Sequence, residues 1–265
     1  MLAFSKSFAR YPLRLVIVSL AVAFLIIIAW RYLAGEGFHY EWQWNRLWRH
    51  LGSIGPNGFE PGPLLKGIGM TLAITAAGLP LSIIFGLGGA CLRLAPWPLC
   101  NQLAIAYINL WRNTPLLLQL FFAYFLISPL LHISPLWTAV FSLAIFEGAY
   151  LAEIFRSGLL SVSPTQWEAS LSLGFSLSQT LFRVILPQAM RNTLPSLANQ
   201  GIALLKDTSL VSAIAVADLT MQSQAIVAET FLAFEVWLLA GAIYLLMALC
   251  IALPSLWLEK HYRWK

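Results

Sequence analysis

The chain alternates long uncharged stretches with short charged joints, and the spacing of the joints predicts helices on the length scale of a bilayer. Residues 15–30 carry no charge and lie between Arg14 and Arg31. That is short for a hydrocarbon core of about 30 Å, but arginines at both ends snorkel to the interfaces. Trp30, Arg31 and Tyr32 follow in place of a small-residue cleavage site, so a retained helix is predicted and not a signal peptide. Residues 67–92 form a second uncharged stretch, rich in glycine and closed by Arg93. Small residues let membrane helices approach closely, which makes this a packing helix. Between Arg112 and Glu147 lie 34 uncharged residues, too many for one span, with Pro129, His132, Ser134 and Pro135 marking a turn. The stretch divides into helices over 115–131 and 136–155. Residues 236–258 form a final span.

Residues 187–218 are less regular. If Arg191 marks the cytoplasmic interface, Lys206 lies roughly 22 Å further up the helix, inside the hydrocarbon core with Asp207. Pro195 and Gly201 loosen the helix below them, so a fifth span with a broken upper part is predicted. Six spans place both termini on one side. Eleven Lys and Arg fall on the side of the termini and four on the other, with Lys206 in the membrane. Positive charge accumulates in the cytoplasm, so both termini are predicted there.

The external segment of residues 31–66 has its own pattern. Trp44, Leu47, Trp48 and Leu51 follow helical spacing and Gly52 is placed to end the helix. Two readings remain: a tryptophan-anchored helix in the outer interface, and a docking surface for a partner protein.

Composition agrees with a lipid solvent. Hydrophobic residues are 59% of the 265 positions and charged residues 10%, too little charge to keep a soluble domain of this size in solution. The net charge of +5 belongs to the cytoplasmic joints and implies no nucleic-acid partner. Cys91, Cys100 and Cys250 are too few and scattered for a disulfide framework or a zinc site. The run Gly86–Gly89 lies within a hydrophobic span, and no phosphate-binding glycine-lysine loop occurs. No cofactor or metal is expected.

The most informative stretch is residues 163–187, between two spans. Ser163 is placed to cap a helix, Pro164 suits its first position and Gln166 has capping-box spacing. Gly174 stops this helix; Ser176 and Gln179 start a second, which Pro187 is expected to close. Glu168-Ala169-Ser170, Gly174, Val184 and Leu186-Pro187 follow the spacing of the EAA loop of ABC importer permeases, with Ser170 where the motif has a second alanine. Residues 112–119 (RNTPLLLQ), 148–153 (GAYLAE) with Arg156, 186–189 (LPQA) and 206–210 (KDTSL) further resemble polar amino-acid permeases of the histidine, glutamine and glutamate type.

The resemblance implies an all-α polytopic membrane protein, the transmembrane domain of a type I ABC importer in a bacterial cytoplasmic (inner) membrane. It covers about residues 66–260, a five-helix core. Residues 1–33 add a cytoplasmic tail and an N-terminal helix, 34–65 the external loop, and 261–265 a tail. Its implied partners are a cytoplasmic ABC ATPase dimer, a second permease chain (self or sister), an external solute-binding protein and an amino-acid substrate. ATP hydrolysis would belong to the ATPase, and Glu168, Ala169, Ser170, Gly174 and Pro187 would couple to it.

Charges at bilayer depth cost about 2.5–3.5 kcal/mol and therefore point to function. Glu153, Lys206, Asp207, Thr208 and Ser209 are the candidates for a polar cavity meeting the ammonium and carboxylate of an amino acid. Against this, Lys206 and Asp207 can compensate each other, and Glu153 can pair with Arg156 three residues along its helix. A secondary transporter is the alternative, but it leaves the EAA-type loop unexplained and no internal repeat supports it. An intramembrane enzyme needs a nucleophile and base in the membrane, and the four histidines lie in loops, at span ends or in the tail.

Overall fold

The computed structural model describes residues 19, 22–27, 30–31, 40–55 and 58–262, with side chains to residue 257. The chain divides into two compact units, residues 1–42 and 43–265. In the first, residues 22–27 and 30–31 are helical and exposed, as a span needs. The rest of the predicted first helix, the N-terminal tail, residues 32–39 and 56–57, and residues 263–265 of the C-terminal tail lie outside the described residues.

The second unit opens with a 3-10 turn, Trp44–Arg46, and α1, Trp48–Leu51. Gly52 ends α1, as its position predicts, and begins a hairpin the sequence analysis did not anticipate, β1 (Gly52–Gly55) and β2 (Gly58–Pro61). The antiparallel register sets Ile54 opposite Phe59 and Ser53 opposite Glu60. Of the apolar positions on the predicted helix, Leu47 is the one that inserts fully, joining Leu64, Leu219, Ile226, Leu232 and Val236 in a buried cluster. Trp44 and Trp48 stay exposed.

Next come α2 (Pro63–Leu94) and α3 (Pro98–Arg112). After α4 (Leu116–Phe122), a π segment (Ala123–Ile127) and α5 (Ser128–Leu131), the chain turns at His132, whose φ is 53°. Helix α6, Pro135–Leu160, starts on Ser134, whose hydroxyl accepts from Trp137 N. The segment predicted to be cytoplasmic comprises α7 (Pro164–Ser172), α8 (Leu177–Thr180) and a π segment (Leu181–Ile185). Beyond it run α9 (Leu186–Asp207), a 3-10 segment (Thr208–Ile214), α10 (Leu219–Thr230) and α11 (Ala233–Tyr262).

By length and apolarity α2, α6 and α11 qualify as spans, and α3 with residues 116–131 forms a pair bent by 102°. Residues 98–112, outside every predicted span, are helical. Glycines decide how the spans pack. A Cβ on Gly86 would lie 2.5 Å from Leu151 Cβ, one on Gly89 2.8 Å from Ala152 Cβ, and one on Gly148 2.6 Å from Phe85 Cβ. Both numbers rise together, so α2 and α6 run parallel and end on the side of α7 and α8. Gly158 lies against Thr193 and Glu147 against Gln200, so α9 runs antiparallel to α6. A core of Ile74, Leu120, Ala139, Val140, Leu143, Leu204, Val211 and Ile214 ties α2, α4, α6, α9 and the 3-10 segment together.

Candidate functional site: a coupling element and a polar helix face

Between α6 and α9 the local chemistry follows the sequence in most particulars. Ser163 Oγ accepts from Thr165 N at 3.3 Å and Pro164 occupies the first turn; a reciprocal bond from Gln166 is not formed. Gly174 has φ +83°, the left-handed conformation that glycine adopts without a Cβ penalty. Ser176 and Gln179 form a full capping box, Ser176 Oγ accepting from Gln179 N and Gln179 Oε1 from Ser176 N at 2.9 Å.

Pro187 departs from expectation. It closes no helix: it sits in the first turn of α9, just beyond the π segment 181–185. A proline in a first turn sacrifices no intrahelical donor, and the π turn re-registers the hydrogen bonds ahead of it. The backbone is therefore helical from Leu177 to Asp207.

Trp167 of α7 packs on a buried cluster of Val162, Ile185 and Ala189 at the base of α9. Ser170 is 4% exposed and donates to Gln166 O at 2.7 Å, so it faces the body of the chain. Glu168, Ala169 and Gly174 face outward with Leu171, Leu173, Leu177 and Phe182. An apolar patch on a hydrophilic turn requires a covering surface.

Helix α9 has two faces. Ala189, Thr193, Gly201, Leu204 and Leu205 are buried. Asn192, Ser196, Asn199 and Lys206 are exposed and fall on one stripe at helical spacing. Twenty-two residues span about 33 Å, yet α9 is not among the helices apolar enough to face lipid. A bilayer-long helix with a polar exposed stripe needs water or protein on that stripe.

Behind the stripe lies a buried polar set. Glu147, 1% exposed, sits at the middle of α6, about 18 Å from its start. Its Oε2 accepts from Gln200 Nε2, its Oε1 has no hydrogen-bond partner, and it interacts with the Asp207 carboxyl. The predicted residues thus separate. Lys206 is exposed at the top of the stripe and Asp207 is half-buried, interacting with both Lys206 and Glu147. Thr208 is fully buried and donates to Leu205 O at 2.7 Å, turned away from the stripe. Ser209 is half-buried and its carbonyl accepts from Ser212. Glu153 is paired with Arg156 at 2.8 Å, toward the end of α6.

The sequence reading did not select Glu147, Gln200 or the Asn192–Ser196–Asn199 stripe. For Glu147 the signal was present: it falls inside the predicted helix 136–155 and is ionisable at bilayer depth, the same argument that selected Lys206.

A family model described as binding-protein-dependent transport system inner membrane component matches residues 58–264. The glutamine transport system permease protein GlnP of Escherichia coli (strain K12) is 36% identical over 227 residues, covering 84% of this chain and 99% of its own length. The probable glutamine ABC transporter permease protein GlnP of Bacillus subtilis (strain 168) is 38% identical over 200 residues, covering 74% and 92%. A crystal structure of an amino acid ABC transporter with histidines superposes with a TM-score of 0.70 at 35% identity, covering 75% of this chain and 94% of the other. An inward-facing MetNI methionine ABC transporter shares the fold, with a TM-score of 0.64 at 18% identity.

Proposed function

Because this chain belongs to the family of binding-protein-dependent transport system inner membrane components, we propose that it forms half of the path of an ATP-driven amino-acid importer. The observation that carries this reading is the polar stripe of α9, continuous in backbone with an exposed coupling element. A single chain leaves the stripe open, so a second permease chain closes the path. Lys206 meets the carboxylate of the amino acid, while Asp207 with Glu147 meets its ammonium. Glu153, held by Arg156, serves the cytoplasmic mouth.

The relatives are named as permease proteins, and in this reading ATP hydrolysis resides on a separate ATPase dimer. That dimer docks on the outward residues of α7 and α8, around Glu168, Ala169 and Gly174, with Ser170 and Pro187 shaping the element from within. An external binding protein delivers the solute, and both termini are cytoplasmic. The test is uptake of radiolabelled amino acids into proteoliposomes holding the reconstituted importer. Lys206→Ala is expected to abolish uptake while the ATPase remains bound; normal uptake by that variant removes the path reading.

A further inference from the structure

Three arginines gather where α2, α3 and α6 end or approach their ends. Arg93 lies in the last turn of α2, Arg112 closes α3 and Arg156 stands one turn before the end of α6. All three act electrostatically on one carboxylate, Glu153, but only Arg156 forms an ion pair with it, at 2.8 Å. Arg112 lies over the Tyr150 ring, 4.9 Å from its centre, and Arg93 donates to Asn101. Among the described residues neither makes an ion pair of its own. One carboxylate against three guanidinium groups leaves an excess of two positive charges.

The position of this excess decides its partner. Parallel packing puts Arg93 and Arg156, near the ends of α2 and α6, on the side of the coupling element, and Arg112 reaches the same stretch of α6 over Tyr150. In the orientation proposed above, on which this inference rests, that side is the inner leaflet. The chain around Arg93 is apolar and exposed: Leu92, Leu94, Trp97 and Leu99. A soluble anion gains nothing from those side chains, whereas a phospholipid satisfies both parts at once, phosphate on the guanidinium groups and acyl chain along Leu94 and Trp97. We propose that Arg93 and Arg112 form a binding site for an anionic phospholipid of the inner leaflet, bound where α2, α3 and α6 converge.

The test uses the purified full-length chain in mild detergent and native mass spectrometry, with phosphatidylglycerol, phosphatidylcholine and inorganic phosphate as probes. Wild type is expected to bind phosphatidylglycerol about tenfold more tightly than phosphatidylcholine. Arg93→Gln with Arg112→Gln loses the preference, and Arg93→Lys with Arg112→Lys keeps it; Arg156 is left to pair with Glu153 in both. Equal binding of the two lipids by wild type overturns the proposal, as does a preference that survives the glutamine pair. Displacement of phosphatidylglycerol by millimolar phosphate also overturns it, because the site is then one for a soluble anion.

Discussion

Gln200 donates its side-chain amide to Glu147 across the contact between α9 and α6. The helix bearing the polar stripe is thereby fastened, halfway along α6, to a residue that is only 1% exposed. Removing Gln200 strands that carboxyl oxygen, and an unpaired buried acceptor costs about 1–3 kcal/mol, more if charged. Gln200→Leu is expected to lower the melting temperature of the purified permease. Glu147→Gln, which keeps shape and hydrogen-bonding capacity, is expected to leave melting unchanged and reduce uptake at least about tenfold, as loss of a functional charge at this depth implies. Uptake at the wild-type rate in Glu147→Gln would confine Glu147 to packing.

The two sides of the element 164–180 separate docking from folding. Leu173 and Leu177 are 78% and 68% exposed, so Leu173→Asp and Leu177→Asp are expected to lose the co-purified ATPase while the permease melts normally. Ser170 is buried and bonded to Gln166 O, and Ser170→Leu is expected to destabilise the permease itself by about 1–3 kcal/mol through overpacking. Pull-down and thermal unfolding of the three variants settle the matter; a Leu173→Asp chain that retains its ATPase contradicts the assignment.

Gly158 and Thr193 pack against each other where α6 meets α9. A Cβ on Gly158 collides with Thr193 Cγ2, so Gly158→Ala is expected to cost about 1–3 kcal/mol. Adding Thr193→Ser removes the colliding methyl and is expected to restore most of the loss. Absence of recovery in the double variant would place the cost elsewhere.

His50 gives the segment 43–62 a pH dependence. It is 8% exposed with an unbonded Nε2, and burial pushes its pKa below 6.5, helped by Arg49 and Arg46 and opposed by Glu229. The unfolded segment therefore takes up a proton at higher pH than the folded one. Stability is full above pH 6.5 and falls as pH drops from there through the folded-state pKa. Hydrogen exchange over residues 43–62 is expected to quicken between pH 7.5 and 5, after correction for intrinsic rates, and His50→Gln to flatten the trend. Equal pH sensitivity in the variant would point to another group.

The spans α2, α6 and α11 were legible because an uncharged run of bilayer length is a local property. So were the cap at Ser163, the turn at Gly174 and the box of Ser176 with Gln179, each decided within four residues. What escaped depends on distant partners. Glu147 was read as the border of an uncharged run, and its partner Gln200 lies 53 residues away on another helix. Thr208 looked like a path residue by sitting beside Lys206, but the 3-10 turn after α9 directs it inward. The hairpin 52–61 is short, glycine-rich and without the alternation of a longer strand, so its pattern carried little signal. Pro187 misled because a proline inside a helical pattern ordinarily ends it, whereas here it follows a π segment in the first turn of α9.

The π turn at Leu181–Ile185 also bears on how chains of this kind are to be aligned. It houses one residue more than an α-helical turn spanning the same height. A chain lacking that residue, and otherwise identical, would present the rest of α9 rotated by about 100°. Asn192, Ser196, Asn199 and Lys206 would then point where apolar neighbours now point. A single-residue gap in this short segment is thus a change of phase for everything that follows it, and comparing stripes between two such chains requires counting from Pro187 rather than from Gly174.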